Sequence, residues 1–161
     1  MVPFLLLAAI IQSTLMPLLT VGGAKPDLVL LIVISWSLLR GTDEGVVWGF
    51  IGGLCVDLLS GGPFGASSVG MMTVGLLSGQ GATNLFKGNL ALPVLLVPLG
   101  TALYYALIVV VLALTGRAPA LDISVTQAIL PAAVINLIAM PVVYMFMRWL
   151  DRKTERQQIS W

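Results

Sequence analysis

The stretch from residue 26 to residue 61, PDLVLLIVISWSLLRGTDEGVVWGFIGGLCVDLLSG, decides how the chain reads. Between Asp27 and Arg40 lie twelve uncharged residues, LVLLIVISWSLL, and a second uncharged run leads from Gly45 to Val56 before Asp57. The polar break RGTDEG at 40–45 reads as a tight turn between two short helices. Helices of about 14–18 residues reach about 21–27 Å at about 1.5 Å per residue. That is short for a hydrocarbon core of about 30 Å, so bilayer thinning and snorkelling of Lys25 and Arg40 would have to assist. A re-entrant hairpin is the competing reading of this segment.

Four further stretches are long and apolar enough to cross a bilayer: 2–20, about 66–86, 90–115 and 123–148. They meet the requirement of about 20 mostly apolar residues. The first lacks the basic n-region of a cleaved signal peptide. With spans at 26–40 and 45–60, the expected architecture is an all-α integral membrane protein, a six-helix transmembrane bundle in one domain over 1–161, with a charged tail from 149 to 161.

Composition supports the membrane. Of 161 residues, 58% are hydrophobic and 9% charged, against about 25% charged in soluble domains. Six of the 15 charges lie between Arg148 and Trp161, leaving uncharged runs at 1–24, 58–86, 88–116 and 123–147. No His is present and Cys55 is the one cysteine, so imidazole chemistry, His-based metal sites and an intrachain disulfide are excluded. A net charge of +1 speaks against nucleic acid, which needs a clustered basic face. Neither a cofactor nor a metal is expected, and no activated nucleophile or acid pair suggests an enzyme.

Orientation follows from the basic residues. Six spans starting inside place Arg40, Lys87, Arg148, Arg152, Lys153 and Arg156 in the cytosol, against Lys25 and Arg117 outside. This obeys the positive-inside rule, with both termini cytosolic. Tyr144 and Trp149, together with Trp36, Trp48 and Trp161 near inner loops, fit interfacial aromatic anchors. Lys25-Pro26-Asp27 reads as the opening of a helix, with Pro and an acid in its first turn. Ser60-Gly61-Gly62-Pro63 reads as a break. Pro93, Pro98, Pro131 and Pro141 fall inside spans.

Two polar side chains stand out inside the spans. Asp57 shares a face with Gly45, Gly49 and Gly53, which recur every four residues and permit a close helix–helix approach. It is a polar anchor for packing, a ligand for something bound, or a hydrated carboxylate near the outer helix end. Asn136, in LPAAVINLIAM, is an interhelical hydrogen-bonding residue or a contact for a ligand or partner. Gln12, Ser13 and Thr14 cluster in the first span, and Gly75 and Gly79 offer a second close-packing face.

These motifs resemble the rod shape-determining protein MreD family of small bacterial membrane proteins. The resemblance is carried by PDLVLLIVISWSLLRG at 26–41, GFIGGLCVDLLSGGPFG at 49–65, and Asn136 followed by Pro141 before a basic end. It implies a non-enzymatic component of the machinery that elongates the bacterial cell wall, located in the cytoplasmic membrane. It also implies direct binding to the periplasmic scaffold MreC. The MreB filament, the RodA glycosyltransferase and a class B penicillin-binding transpeptidase would share the complex. The implied fold is similar to the six-helix substrate-binding subunits of energy-coupling vitamin transporters. By position, Pro26, Asp27, Arg40, Asp57 and Asn136 match recurring family residues. The glycine stripe suggests a seat for MreC's transmembrane helix. A small-solute or lipid-binding transport subunit, using Asp57 and Asn136 in a cavity, is the alternative.

Overall fold

The computed structural model describes residues 2–15, 25–61, 64–84, 91–116 and 123–155. Among them the chain forms six helices and no strand: α1 (Val2–Thr14), α2 (Leu28–Arg40), α3 (Thr42–Ser60), α4 (Ala66–Asn84), α5 (Ala91–Leu114) and α6 (Ile123–Glu155). Two stretches, Leu95–Leu114 and Ile129–Thr154, are long and apolar enough to cross a membrane. Helices α1 and α2 are apolar but only 13 residues each. At about 1.5 Å per residue, each reaches about 20 Å. Helix α3 includes Asp43, Glu44 and Asp57.

Helix α2 occupies the centre. Every residue from Val29 to Ser37 is buried, and α2 packs against each of the other five helices. This explains why its sequence has no polar face: each direction meets another helix. Its two buried hydroxyls are satisfied locally or across the bundle. Ser35 Oγ donates to Leu31 O at 2.7 Å, and Ser37 Oγ donates to Gly75 O on α4.

The break between α2 and α3 is tighter than RGTDEG suggests. Gly41 alone reverses the chain at φ +95°, a left-handed conformation that glycine tolerates, and Gly41 N–H donates to Ser37 O at 2.9 Å. Helix α3 therefore starts at Thr42 rather than near 45, with Asp43 and Glu44 in its first turn, where acids complement the helix dipole. At the other end Gly61, at φ +65°, closes α3 in the left-handed cap conformation. Pro98, Pro131 and Pro141 lie within helices. Pro93 falls in the first turn of α5, where a missing N–H leaves no hydrogen bond unmade.

Two of the expected interfacial anchors are buried. Trp36 and Trp48 stack with ring centres 4.5 Å apart, and Trp36 Nε1 donates to Glu44 Oε2 at 2.7 Å. Helix-to-helix packing at the α2–α3 turn recruits these indoles inward, so they present little surface to an interface. Trp149 is exposed, with the Lys153 ammonium 4.0 Å from its ring centre. Trp161, Lys87, Arg117 and Arg156 lie outside the described residues.

Candidate functional site

The residues singled out in the sequence fall into three clusters, each joining helices distant in the chain. The first surrounds the start of α2. A buried helix N-terminus presents N–H groups without intrahelical partners, and here side chains from three elements meet them. Asp27 is the N-cap, with Oδ1 accepting from Leu30 N–H at 3.3 Å. Gln12 on α1 accepts Val29 N–H at 2.8 Å through Oε1 and donates through Nε2 to Asp27 Oδ1 at 2.9 Å. Asn136 on α6 accepts the N–H of Asp27 itself at 2.8 Å and donates to Thr101 Oγ1 on α5 at 3.2 Å. Asn136 is 0% exposed. A single amide thus ties α2, α5 and α6 together. Pro26 precedes the cap instead of lying in the first helical turn, which starts at Leu28.

The second cluster is the α3–α4 contact. Gly49 and Gly53 face α4 of the same chain so closely that no side chain fits, and Gly45 is closed in by Ser37 of α2 and Gly75 of α4. A Cβ on Gly49 would lie 2.5 Å from Met71 O, and one on Gly53 would lie 2.5 Å from Ser68 N. Gly75 approaches the Gly45 carbonyl reciprocally, and Gly79 approaches the Thr42 backbone. Both small-residue stripes are therefore consumed by one intrachain contact, and a partner helix has no room on this face.

Asp57 completes that contact. Its carboxylate, 4% exposed, accepts from Gly65 N–H at 2.8 Å, Ser67 N–H at 3.0 Å and Ser68 N–H at 3.4 Å. These amides lie just before and within the first turn of α4, so a carboxylate on α3 caps the N-terminus of the next helix. The positive end of the α4 dipole stabilises its charge. Neither Asp57 nor Asn136 lines the cavity beside Asp27. Their polar atoms are engaged in holding helices.

The third cluster lies at the opposite end of α2. Arg40 Nε pairs with Asp151 near the end of α6, Nη1 lies 3.8 Å from Glu44 Oε1, and the guanidinium sits 5.3 Å from the Trp36 ring centre. Arg40 therefore anchors the charged extension of α6 to the α2–α3 turn rather than simply snorkelling. The sequence offered no signal for Asp151 as its partner, since a tail acid 111 residues away looks solvated.

Two surface features accompany these clusters. A cavity of about 360 Å³ opens beside Asp27, between α1, α2, α3 and α5. A second, apolar furrow of about 340 Å³ runs between α1 and α6. Its sides include Leu7, Ile11 and Val143, and Leu28 and Ile32 of α2 form its floor. Phe4 and Phe146 stack across it with ring centres 6.4 Å apart. Beside it, Leu130, Val134, Ile138, Met145 and Trp149 continue from Val142 at its edge as an exposed stripe on α6, while Ala132, Asn136, Met140 and Met147 are buried.

The family model for rod shape-determining protein MreD matches residues 1–154. No curated protein matches, and no solved structure matches.

Proposed function

Because the chain belongs to the MreD family of rod shape-determining membrane proteins, we propose that it is a non-enzymatic adaptor of the cell-wall elongation complex. In this reading it spans the cytoplasmic membrane six times with both termini in the cytosol, in an arrangement like that of vitamin-transporter substrate-binding subunits. It holds the transmembrane helix of MreC and thereby links the cytosolic MreB filament to RodA and a class B transpeptidase.

The furrow between α1 and α6 carries the reading. Helices α1 and α6 flank it with their backbones apart, meeting through the Phe4–Phe146 stack, and the floor is the central helix α2. Its lining is apolar and its walls bear large side chains, the form a partner helix needs for ridges-into-grooves packing. The glycine stripe, the other feature suited to such a helix, is filled by α4. Orientation is supported by the basic residues, with Arg40, Arg148, Arg152 and Lys153 toward one end and Lys25 toward the other.

Co-purification of MreC with this chain from detergent-solubilised membranes tests the reading. Leu7→Trp and Ile11→Trp fill the furrow and reduce recovered MreC by about tenfold, equivalent to about 1.4 kcal/mol. Leu99→Trp, on an exposed face of α5, leaves recovery unchanged. Full recovery with both furrow variants contradicts the assignment.

A further inference from the structure

The cavity beside Asp27 serves neither the helix contacts described above nor the furrow. Lys25, Asp27, Gln12 and Tyr105 supply its polar lining, and Val56 and Ile108 part of its apolar lining. Its volume of about 360 Å³ is within the range of small-ligand sites, about 300–1,000 Å³. We propose that it binds an aminophospholipid head group, a primary ammonium adjoining a phosphate. The proposal rests on the chain being a membrane protein and is independent of the assignment of MreC to the furrow.

Charge argues for a zwitterion. Asp27 is 6% exposed, and its bonds within the chain come from neutral donors, Gln12 and the Leu30 amide. Among the described residues, the ion pairs all belong to Arg40, so the Asp27 carboxylate has no cation within salt-bridge distance. A buried carboxylate is stabilised strongly by a cation that also donates hydrogen bonds. Lys25, exposed and two residues away, offers its ammonium to an anion. One mouth therefore carries both signs in adjacent positions. A simple cation would leave Lys25 unmatched, and a simple anion would be repelled by Asp27.

The aromatic lining selects the amine. Tyr104 and Tyr105 both line the cavity and meet edge-on, with ring centres 5.5 Å apart. Ammonium groups are attracted to such ring faces, and a primary ammonium additionally donates to the carboxylate, which a quaternary one cannot do. The apolar side, with Val56, Leu59 and Ile108, suits the glycerol and first acyl carbons that follow the phosphate in a lipid.

The test uses the full chain in delipidated detergent micelles, with binding followed by thermal shift and native mass spectrometry. Phosphatidylethanolamine binds about tenfold more tightly than phosphatidylcholine, the gain of a hydrogen bond to a charged group. Asp27→Asn reduces that preference toward parity. Because Asp27 also caps α2, Lys25→Gln provides a variant outside the helix contacts; it weakens phosphatidylethanolamine several-fold with unchanged circular dichroism. Equal binding of the two lipids, an unaltered preference in Asp27→Asn, or undiminished phosphatidylethanolamine binding in Lys25→Gln overturns the proposal. Soluble phosphoethanolamine separates the sources of the head group. Weak competition with the lipid fits the proposal, whereas binding of the soluble compound without any binding of the lipid overturns it.

Discussion

The side-chain oxygen of Asn136 accepts the backbone N–H of Asp27, 109 residues earlier in the chain, at 2.8 Å. The bond joins the middle of α6 to the start of the central helix, and Asn136 Nδ2 continues it to Thr101 on α5. Asn136→Leu keeps similar volume but leaves the Asp27 amide and the Thr101 hydroxyl without this partner. Each buried group left unpaired costs about 1–3 kcal/mol. A lowered midpoint for thermal unfolding in detergent is expected. An unchanged midpoint would mean that this amide does not hold the three helices together.

The glycine contact predicts a steep dependence on position. Gly49→Leu drives a side chain into the Met71 backbone, and such overpacking costs about 3 kcal/mol or more when the obstacle is backbone. Gly61→Ala meets no atom within 4 Å but occupies a left-handed conformation, at a cost of about 1–2 kcal/mol. Detergent-solubilised yield and thermal midpoint should therefore fall sharply for the first and slightly for the second. Equal losses would contradict close α3–α4 packing.

Removing the carboxylate at Asp57 uncaps α4. Asp57→Ala leaves the amides of Gly65, Ser67 and Ser68 without their acceptor and costs about 1–3 kcal/mol. Asp57→Asn retains one acceptor oxygen but sets its NH2 against a donor amide, since both carboxylate oxygens accept N–H bonds, and it also loses the charge–dipole attraction, about 0.3–2 kcal/mol. Hydrogen exchange over residues 64–70 distinguishes these outcomes: protection should fall in the order wild type, Asn, Ala. No change in either variant would contradict the cap.

Much of this arrangement was legible because few polar residues occur in an apolar chain. Asp57 and Asn136 are costly in such surroundings unless paired, which marked both for attention, whereas Asp27 read only as an acid in the first turn of a helix. The partners themselves were less visible. A glycine repeat says that something approaches closely, but not whether it is α4 or another protein. Thr101 looks like any mid-helix hydroxyl, and its role depends on a residue 35 positions away. Trp36 and Trp48 show how position near a turn misleads, since stacking and the Glu44 bond draw both indoles inside. The central place of α2 was not legible either, because a short apolar run between Asp27 and Arg40 reads equally as a short span or as one arm of a hairpin.

At the other end of α2, Arg40 restrains the extension of α6 through Asp151. Arg40→Lys replaces a planar fork by a single ammonium and weakens this geometry. Amide exchange over Arg148–Glu155 should accelerate several-fold, and Asp151→Asn should produce a similar effect. Unchanged exchange in both would mean that the extension is held by packing alone.

Disulfide mapping tests the adaptor reading most directly. The native Cys55 is first replaced by Ala, and single cysteines are placed at Ile11 and Val143 in the furrow and at Leu99 on the exposed face of α5. Each is paired in membranes with cysteines along the MreC transmembrane helix. The account predicts crosslinks from Ile11 and Val143 with helical periodicity on MreC, and none from Leu99. Crosslinks confined to Leu99, or none from either furrow position while MreC still co-purifies, would contradict it.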